Sequence, residues 1–309
     1  MKIITIEKQF VKLVLFVATV LLMTACEKAV VEENNDTSST KSTSKSGKVN
    51  ITLRVADFKQ FSYETLTPKF VNGTRTVVDI IDYCTHLNFV VYKDGKKIDS
   101  RSQIKGNNDF GETTMSLYAG NYQLLVLAHS SSHGSPTLTN PEKIQFTDDL
   151  GYSDTFYYYG NFEVTADKQD YEIRLTRASS KLCFIIEDEA PSEVTNVHFF
   201  YTGGSGTLNA VTGYATNVGS CQEKNASIIG YTSPIEFNVY TFLETDSAKL
   251  NLKVEACNSS KKVVCSREFT DIPMERNKVT ILKGSFFAKD QTLNFTAETE
   301  WADTLHLSY

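Results

Sequence analysis

The sequence predicts an all-β protein made of two tandem β-sandwiches behind a leader and a polar tether. Three observations predict it. Apolar and polar residues alternate in short runs, the period of a strand whose side chains point to opposite faces. The chain carries 15 Tyr and 19 Phe but one Trp, and aromatic enrichment suits a pleated surface. No long segment keeps a helical period. A length of 309 residues suits about two domains, and 41% hydrophobic residues is enough to fill their cores.

The first element is the leader, residues 1–25. Lys2, Lys8 and Lys12 precede an apolar run from Leu13 to Ala25, broken by Thr19 and Thr24. A spanning helix needs roughly twenty apolar residues, and this run is shorter. A basic start, a short apolar stretch and small residues before a break read as a secretory signal. Its last four residues, Met23-Thr24-Ala25-Cys26, resemble the bacterial lipobox, in which the cysteine thiol receives a diacylglycerol and becomes the first residue after cleavage. Met23 stands where Leu is commonest. The bland alternative is an ordinary secretory signal in which Cys26 has no role. The lipid reading has a physical rationale: one acyl chain holds a protein marginally, and stable attachment takes at least two, such as palmitate chains on Cys26.

The tether follows, residues 26–48. EKAVVEENNDTSSTKSTSKSGK holds few residues that can be buried, so it is expected to be disordered. Glu32 and Glu33 resemble the acidic export signal of surface lipoproteins in Bacteroides-type bacteria; a plain solvated tether reads equally well.

The pattern changes after Lys48. Val49, Ile51, Leu53 and Val55 share one face of a first strand, with Asn50, Thr52 and Arg54 on the other. Strand-like runs follow at His86–Tyr92, Thr113–Leu117, Asn121–Ala128, Phe156–Val164 and Tyr171–Thr176. Lys93-Asp94-Gly95-Lys96 reads as a hairpin turn, because Asp-Gly supplies the positive φ a tight turn needs. A second series runs through Leu182–Ile186, Val197–Tyr201, Ile235–Thr241, Lys249–Ala256, Lys262–Ser266 and Lys278–Leu282, and ends at Thr304–Tyr309. Short strands with frequent turns suggest sandwiches. The division falls near Arg177-Ala178-Ser179, giving an N-terminal sandwich over 49–177 and a C-terminal one over 178–309.

Several stretches carry a family resemblance. Gly120-Asn121-Tyr122-Gln123-Leu124-Leu125-Val126-Leu127-Ala128-His129 and Phe156-Tyr157-Tyr158-Tyr159-Gly160 resemble the N-terminal domain of the fimbrillin-like lipoproteins of Bacteroides-type bacteria. Leu175-Thr176-Arg177-Ala178 resembles that family's approach to its second domain. Arg276-Asn277-Lys278-Val279-Thr280-Ile281-Leu282-Lys283-Gly284 resembles its C-terminal Arg-Asn-x-x-Thr-x-Leu-x-Gly signature. The resemblance covers the chain from about Lys48 onward and points to the FimB-like minor or anchor subunits. It implies two transthyretin-like Greek-key sandwiches and an outer-membrane lipoprotein. In stalk and tip subunits it further implies that an Arg- or Lys-specific protease removes the first strand, and that a neighbouring subunit's strand fills the groove. Anchor subunits keep both lipid and first strand.

The physics of such assembly stands apart from the resemblance. A sandwich missing a strand at its edge exposes unpaired N–H and C=O groups beside an apolar slot, and an extended partner strand satisfies both. Leu305, Leu307 and Tyr309 have the alternation of a donor strand, and equally that of a last strand in their own domain. Arg75, in Asn72-Gly73-Thr74-Arg75-Thr76, is the candidate cleavage point, since exposed loops are where nicking occurs. In an anchor subunit Arg75 reads as a solvated loop charge. In a stalk or tip subunit it becomes the cut, and the lipid is lost.

Chemistry is sparse. The net charge of −6 argues against a nucleic-acid binder, which needs a clustered basic surface. His129 and His133 are four apart, but Ser130-Ser131-Ser132 between them is loop sequence, and metal sites normally need three ligands. Gly203-Gly204-Ser205-Gly206 lacks the final glycine of a nucleophile elbow, because Thr207 stands there; it reads as a flexible loop. Glu187-Asp188-Glu189 points alternately to opposite sides of an extended chain and reads as a polar turn. With Cys26 set aside, Cys84, Cys183, Cys221, Cys257 and Cys265 remain. An odd number cannot all pair, a Cys257–Cys265 bridge across a hairpin is conceivable, and no CxxC suggests zinc.

The expected function is therefore structural: a non-enzymatic fimbrial subunit without metal or cofactor, at the outer membrane or cell surface, with other subunits as partners. The alternative is a surface lipoprotein that grips glycan or host protein through sandwich loops. Tyr157 to Tyr159 would serve such a site, or would alternate between core and surface in a strand.

Overall fold

The computed structural model describes residues 47–59, 80–288 and 295–296. The leader, Cys26, Glu32, Glu33, Arg75, Leu305, Leu307 and Tyr309 lie outside these residues.

The first half runs β1 (Val49–Lys59), a 3-10 turn (Ile80–Asp82), β2 (His86–Lys93), β3 (Lys96–Ile104), β4 (Glu112–Leu117), β5 (Gly120–His129), β6 (Ile144–Gln145), β7 (Thr155–Val164) and β8 (Gln169–Arg177). The second runs β9 (Ser179–Ile186), β10 (Val194–Thr202), β11 (Thr207–Asn209), β12 (Tyr214–Thr216) and β13 (Gln222–Ser227). It continues with β14 (Ile235–Phe242), β15 (Ser247–Asn258), β16 (Val263–Glu275), β17 (Val279–Gly284) and β18 (Phe295–Thr296). The all-β expectation holds: among the described residues the 3-10 turn is the one helical element.

Strands β3-β2-β5-β7-β8-β1-β4 form one hydrogen-bonded ribbon. β7 and β8 pair only at Phe156↔Arg177 and Tyr157↔Thr176. The ribbon therefore folds there into two layers, β3-β2-β5-β7 against β8-β1-β4. Ile51, Leu53, Phe89, Met115, Val126 and Leu175 fill the space between them. In the second half, β13-β10-β15-β16 faces β14-β9-β17-β18, around Phe184, Phe199, Phe237, Phe269 and Phe286.

The two halves repeat one topology. β1 lies between β4, antiparallel, and β8, parallel. β9 lies likewise between β14, antiparallel, and β17, parallel. The opposite layers match strand for strand, β3-β2-β5-β7 with β13-β10-β15-β16.

A third cluster joins the halves. Val90, Tyr92, Leu125 and Leu127, on the outer face of β2 and β5, pack with Ile144, Phe146, Leu208 and Phe242. A small sheet, β12-β11-β6, crosses between the halves. This second covering explains why β2 and β5 read as continuous apolar runs: a strand buried on both faces does not alternate. The described residues belong to one compact unit.

Local chemistry sets the turns. Asp94 and Gly95 take φ of 50° and 72°, the pair of positive values a tight two-residue hairpin needs. β3 and β13 are edge strands of mostly exposed polar residues, and such charged edges resist pairing with other chains.

Candidate assembly site

The candidate site starts from β1. Ile51 and Leu53 are 0% exposed, and Val49 and Val55 pack against the same core. This is the face the alternation marks. On the other face Arg54 Nε donates to Glu112 Oε2 at 2.7 Å, an exposed pair across to β4. Thr52 is buried rather than exposed.

β1 is not an edge strand, which corrects the picture of a sandwich whose missing strand is at its border. It pairs with β4 from Val49↔Leu117 to Arg54↔Glu112, and with β8 from Ile51↔Gln169 to Lys59↔Thr176, with a bulge between Val55 and Asp57. Its removal would open two facing backbone edges and an apolar slot at once. Each unpaired buried backbone group costs about as much as a lost hydrogen bond.

The stretches that carry the family resemblance meet where the halves join. Arg177 is 4% exposed. Its Nε donates to Asp154 Oδ1 at 2.9 Å and Oδ2 at 3.2 Å. Its guanidinium lies 4.7 Å from the Phe156 ring centre, and one of its terminal nitrogens donates to Asn277 Oδ1 at 3.3 Å. Ser179 Oγ donates to Asp154 Oδ1 at 2.9 Å and accepts the Thr155 N–H at 3.1 Å. Arg276 stacks 4.5 Å from the Tyr214 ring centre and donates to Tyr157 Oη at 3.4 Å. Gly213 sits under this contact, where an added Cβ would lie 2.0 Å from Tyr157 Oη. The Arg177-Ala178-Ser179 connection is thus a buried, charge-assisted joint. Asp154 carried no signal in the sequence, and neither did the 100-residue reach from Arg177 to Asn277.

Other residues flagged in the sequence are placed apart from any common centre. His129 is buried and stacked on His86, centroids 4.9 Å apart and rings 3° from parallel. Its Nε2 lies 3.3 Å from Asn88 Nδ2, and burial, with His86 as a smaller cause, pushes its pKa down to about 3. His133 turns instead to Ser132 Oγ at 2.8 Å. Among the described residues no group of three or more His, Cys, Asp or Glu is placed to hold a metal.

Gly203-Gly204-Ser205-Gly206 is a packed crossing rather than a flexible loop. Ser205 is fully buried; its Oγ donates to Thr216 O and accepts the Thr207 N–H. A Cβ on Gly203 would lie 2.1 Å from Lys249 O, so only glycine allows that approach. Tyr157 and Tyr159 pack on the cluster between the halves and Tyr158 on the first core, so the run alternates between two interiors rather than core and surface.

Asp188, within the acidic triplet, is a clasp. Its carboxylate accepts backbone N–H bonds from Phe286, Phe287 and Ala288 at 2.7, 2.8 and 3.0 Å. Arg267 holds the same segment from the other side, donating to Phe286 O at 2.6 Å and to Ala288 O.

All five cysteines from Cys84 onward are free thiols. Cys265 stands opposite Ala256, and Cys257 opposite Val263, so the bridge across this hairpin does not form. Burial is the largest cause of a raised pKa at each, to about 12 at Cys84 and Cys183, which leaves the nucleophilic thiolate scarce.

Comparison with known proteins gives a family. The chain matches the family of unknown function DUF6562 over residues 48–306, and it belongs to that family. No curated protein sequence matches it. Among solved structures it is similar to a candidate cell adhesion protein from Bacteroides ovatus, with 10% identity, TM-score 0.46, and coverage of 82% of this chain and 98% of the other. It is similar to a candidate polysaccharide-binding protein from Bacteroides thetaiotaomicron, with 12% identity, TM-score 0.42, and 77% and 92% covered. It is also similar to a fimbrial assembly protein from Parabacteroides distasonis, with 14% identity, TM-score 0.38, and 79% and 92% covered. At such identities a neighbour's binding or assembly does not transfer to this chain.

Proposed function

We propose that this chain, within its family of unknown function, is a non-enzymatic structural subunit of a cell-surface fimbria. It is a minor or anchor component of the FimB-like kind, held at the outer membrane by lipid on Cys26 and joined to neighbours by strand exchange. Its body is two Greek-key sandwiches, 49–177 and 178–309. The observation that carries this reading is the setting of β1. It joins the tether at one end and supplies both the shared face and both the flanking ladders of its layer. A retained β1 makes a sealed, lipid-held base, and a lost β1 makes an acceptor groove. The lipobox-like Met23-Thr24-Ala25-Cys26 favours the first state.

Mass spectrometry of the native N-terminus tests the proposal. An acylated Cys26 is the expected result. A chain beginning at Thr76 makes it a stalk or tip subunit cut after Arg75. An unmodified start at any other residue ends the anchor reading.

A second reading has one observation in its favour. Ile229 and Tyr231, in the turn between β13 and β14, are 71% and 67% exposed. Exposed apolar side chains in a loop suit contact with glycan or host protein. Binding on a glycan array that Tyr231→Ala abolishes would support that surface-ligand role.

A further inference from the structure

The ladder registers gather a set of lysines at one end of the first sandwich. β1 enters at this end, with Val49 opposite Leu117 on β4. β2 turns into β3 here, where Lys93 faces Lys96. The β4–β5 turn closes at Gly120, opposite Val164 at the end of β7, and β8 starts at Gln169 beside Ile51. The joint with the second sandwich lies at the other end of the same strands, where His129 faces Thr155 and Phe156 faces Arg177. Lys48, Lys93, Lys96, Lys97 and Lys168 are all exposed at the entry end, against exposed Asp94 and Asp167. Glu163 and Asp170 stand further back on its flanks, level with Asn121 and Thr52. The whole chain carries a charge of −6, so this is a basic end on an acidic protein. In the second sandwich Lys249, Lys253, Lys278 and Lys283 each pair with a carboxylate. Among the described residues none of the lysines at the entry end does. Two lie over rings instead, Lys48 at 5.6 Å from the Tyr118 ring centre and Lys93 at 5.2 Å from that of Tyr122. Tyr118, in the β4–β5 turn, is itself 56% exposed.

We propose that this end of the first sandwich lies against the bilayer that holds the protein, its lysines on anionic phosphate headgroups and Tyr118 at the interface. The proposal rests on the lipid reading of Cys26 and adds which face of the folded chain meets the membrane. Two observations select a membrane as the partner. The first is where the tether ends. Lys48 stands 22 residues after Cys26, and a flexible coil of that length spans about 25 Å. The end that carries Lys48 is therefore the end an anchor on Cys26 keeps nearest the surface. The second is the layout of charge. The lysines sit on separate turns of both layers rather than around one groove, and a broad surface of phosphates can meet several turns at once. An exposed Tyr among lysines also suits the boundary between headgroups and water. Each lysine near an anionic surface adds a few-fold to binding. That is too little to capture a free protein firmly, but a tether makes the contact intramolecular and raises its effective concentration. The attraction fades within a Debye length of about 8 Å, so the contact is direct, and the tether is long enough to allow it.

The test uses residues 27–309 with an N-terminal histidine tag, held on vesicles by a nickel-chelating lipid. The tag replaces the acyl chains, so a failure here is distinct from a failure of acylation, which the native N-terminus reports. Hydrogen exchange is compared on vesicles of phosphatidylcholine alone and of phosphatidylcholine with about a third phosphatidylglycerol, an anionic surface. Exchange over 93–97 and 117–121 should slow about fivefold or more on the anionic vesicles, the effect of one lysine's attraction to such a surface. It should match the free chain on phosphatidylcholine, and the slowing should vanish at about 1 M salt, where the Debye length is about 3 Å. Lys96→Glu with Lys97→Glu, both exposed, should abolish it. Lys261→Glu with Lys262→Glu, in the β15–β16 turn of the second sandwich, should leave it intact. Equal slowing on both vesicles would overturn the proposal, because charge would not be the cause. Slowing that survives Lys96→Glu with Lys97→Glu, slowing centred on 259–262, or none anywhere would overturn it as well.

Discussion

β1 and β9 hold the same place in the two sandwiches, yet they differ in how they are tied to the chain. Both sit centrally in their layer, with one parallel neighbour and one antiparallel neighbour. β9 begins at Ser179, directly after the buried joint at Arg177, and hydrogen bonds there hold its first residue. β1 begins after Lys48; at its start Lys48 lies 5.6 Å from the Tyr118 ring centre, and Ser116 Oγ on β4 donates to Asn50 Oδ1 at 2.5 Å. The same topology thus gives one strand that is built in and one that is held by its neighbours alone. Only the second kind suits exchange between molecules.

The largest test of this difference is removal. A chain beginning at Thr76 lacks β1, and with it Ile51 and Leu53 from the first core. We expect hydrogen exchange in β4 and β8 to rise to near that of an unfolded chain, while β9, β14 and β17 stay protected. Equal loss in both halves would mean that β1 is as integral as β9.

Single side chains give the next effect. Leu53→Ala and Leu182→Ala each empty a fully buried site, and such truncations cost about 2–5 kcal/mol. In denaturant titrations the first should weaken the first sandwich and the second the other. The joint is tested by Asp154→Ala, which leaves Arg177 without its carboxylate and should cost about 3 kcal/mol. We expect it to split one unfolding transition into two, because Asp154 accepts from Ser179 across the boundary and anchors the guanidinium that reaches Asn277, the contacts that fasten the halves together.

Acid distinguishes the halves again. His129 is neutral in the fold, with a pKa pushed down to about 3 from an ordinary 6.5, and burial lowers the pKa of His86 as well. The folded value lies below the unfolded one. The stabilising contribution is therefore complete above pH 6.5 and is lost progressively as pH falls towards 3, because the unfolded chain binds a proton the folded chain refuses. By pH 5 the loss is about 2 kcal/mol. Both imidazoles lie in the first sandwich, so it should weaken first. His129→Gln should flatten the fall in Tm between pH 7 and 5; an unchanged slope would place the acid sensitivity elsewhere.

How much of this was legible in the sequence depends on burial. Strands with one apolar face announced themselves: Val49, Ile51, Leu53 and Val55 alternate because the opposite side reaches water at Asn50 and Arg54, although Thr52 between them is covered. β2 and β5 were legible as strands, but their second covering was not, since an apolar run does not say what lies on each side. β3 and β13 went unread because an exposed edge strand such as Gln222–Ser227 has no apolar face to report. The Asp94-Gly95 turn was legible from backbone chemistry alone. The central position of β1 and its parallel pairing with β8 were not, because register between strands over a hundred residues apart is set by packing. The same holds for Arg177 with Asn277.

The smallest effect concerns Arg54, the basic residue inside β1. Its ion pair with Glu112 bridges β1 and β4, but both side chains are about half exposed, and exposed pairs are screened and add little. Arg54→Ala should leave Tm within the scatter of replicate measurements. It bears on the comparison through proteolysis. Arg54 is already extended, but ladders with β4 and β8 on both sides take up its backbone, so a protease cannot pair with it, whatever its side chain's exposure. Limited digestion with an Arg-specific protease should therefore spare the bond after Arg54 while β1 is paired. Cutting there at the rate of a loop would mean that β1 leaves its slot spontaneously, and a strand that leaves unaided does not require cleavage in order to be exchanged.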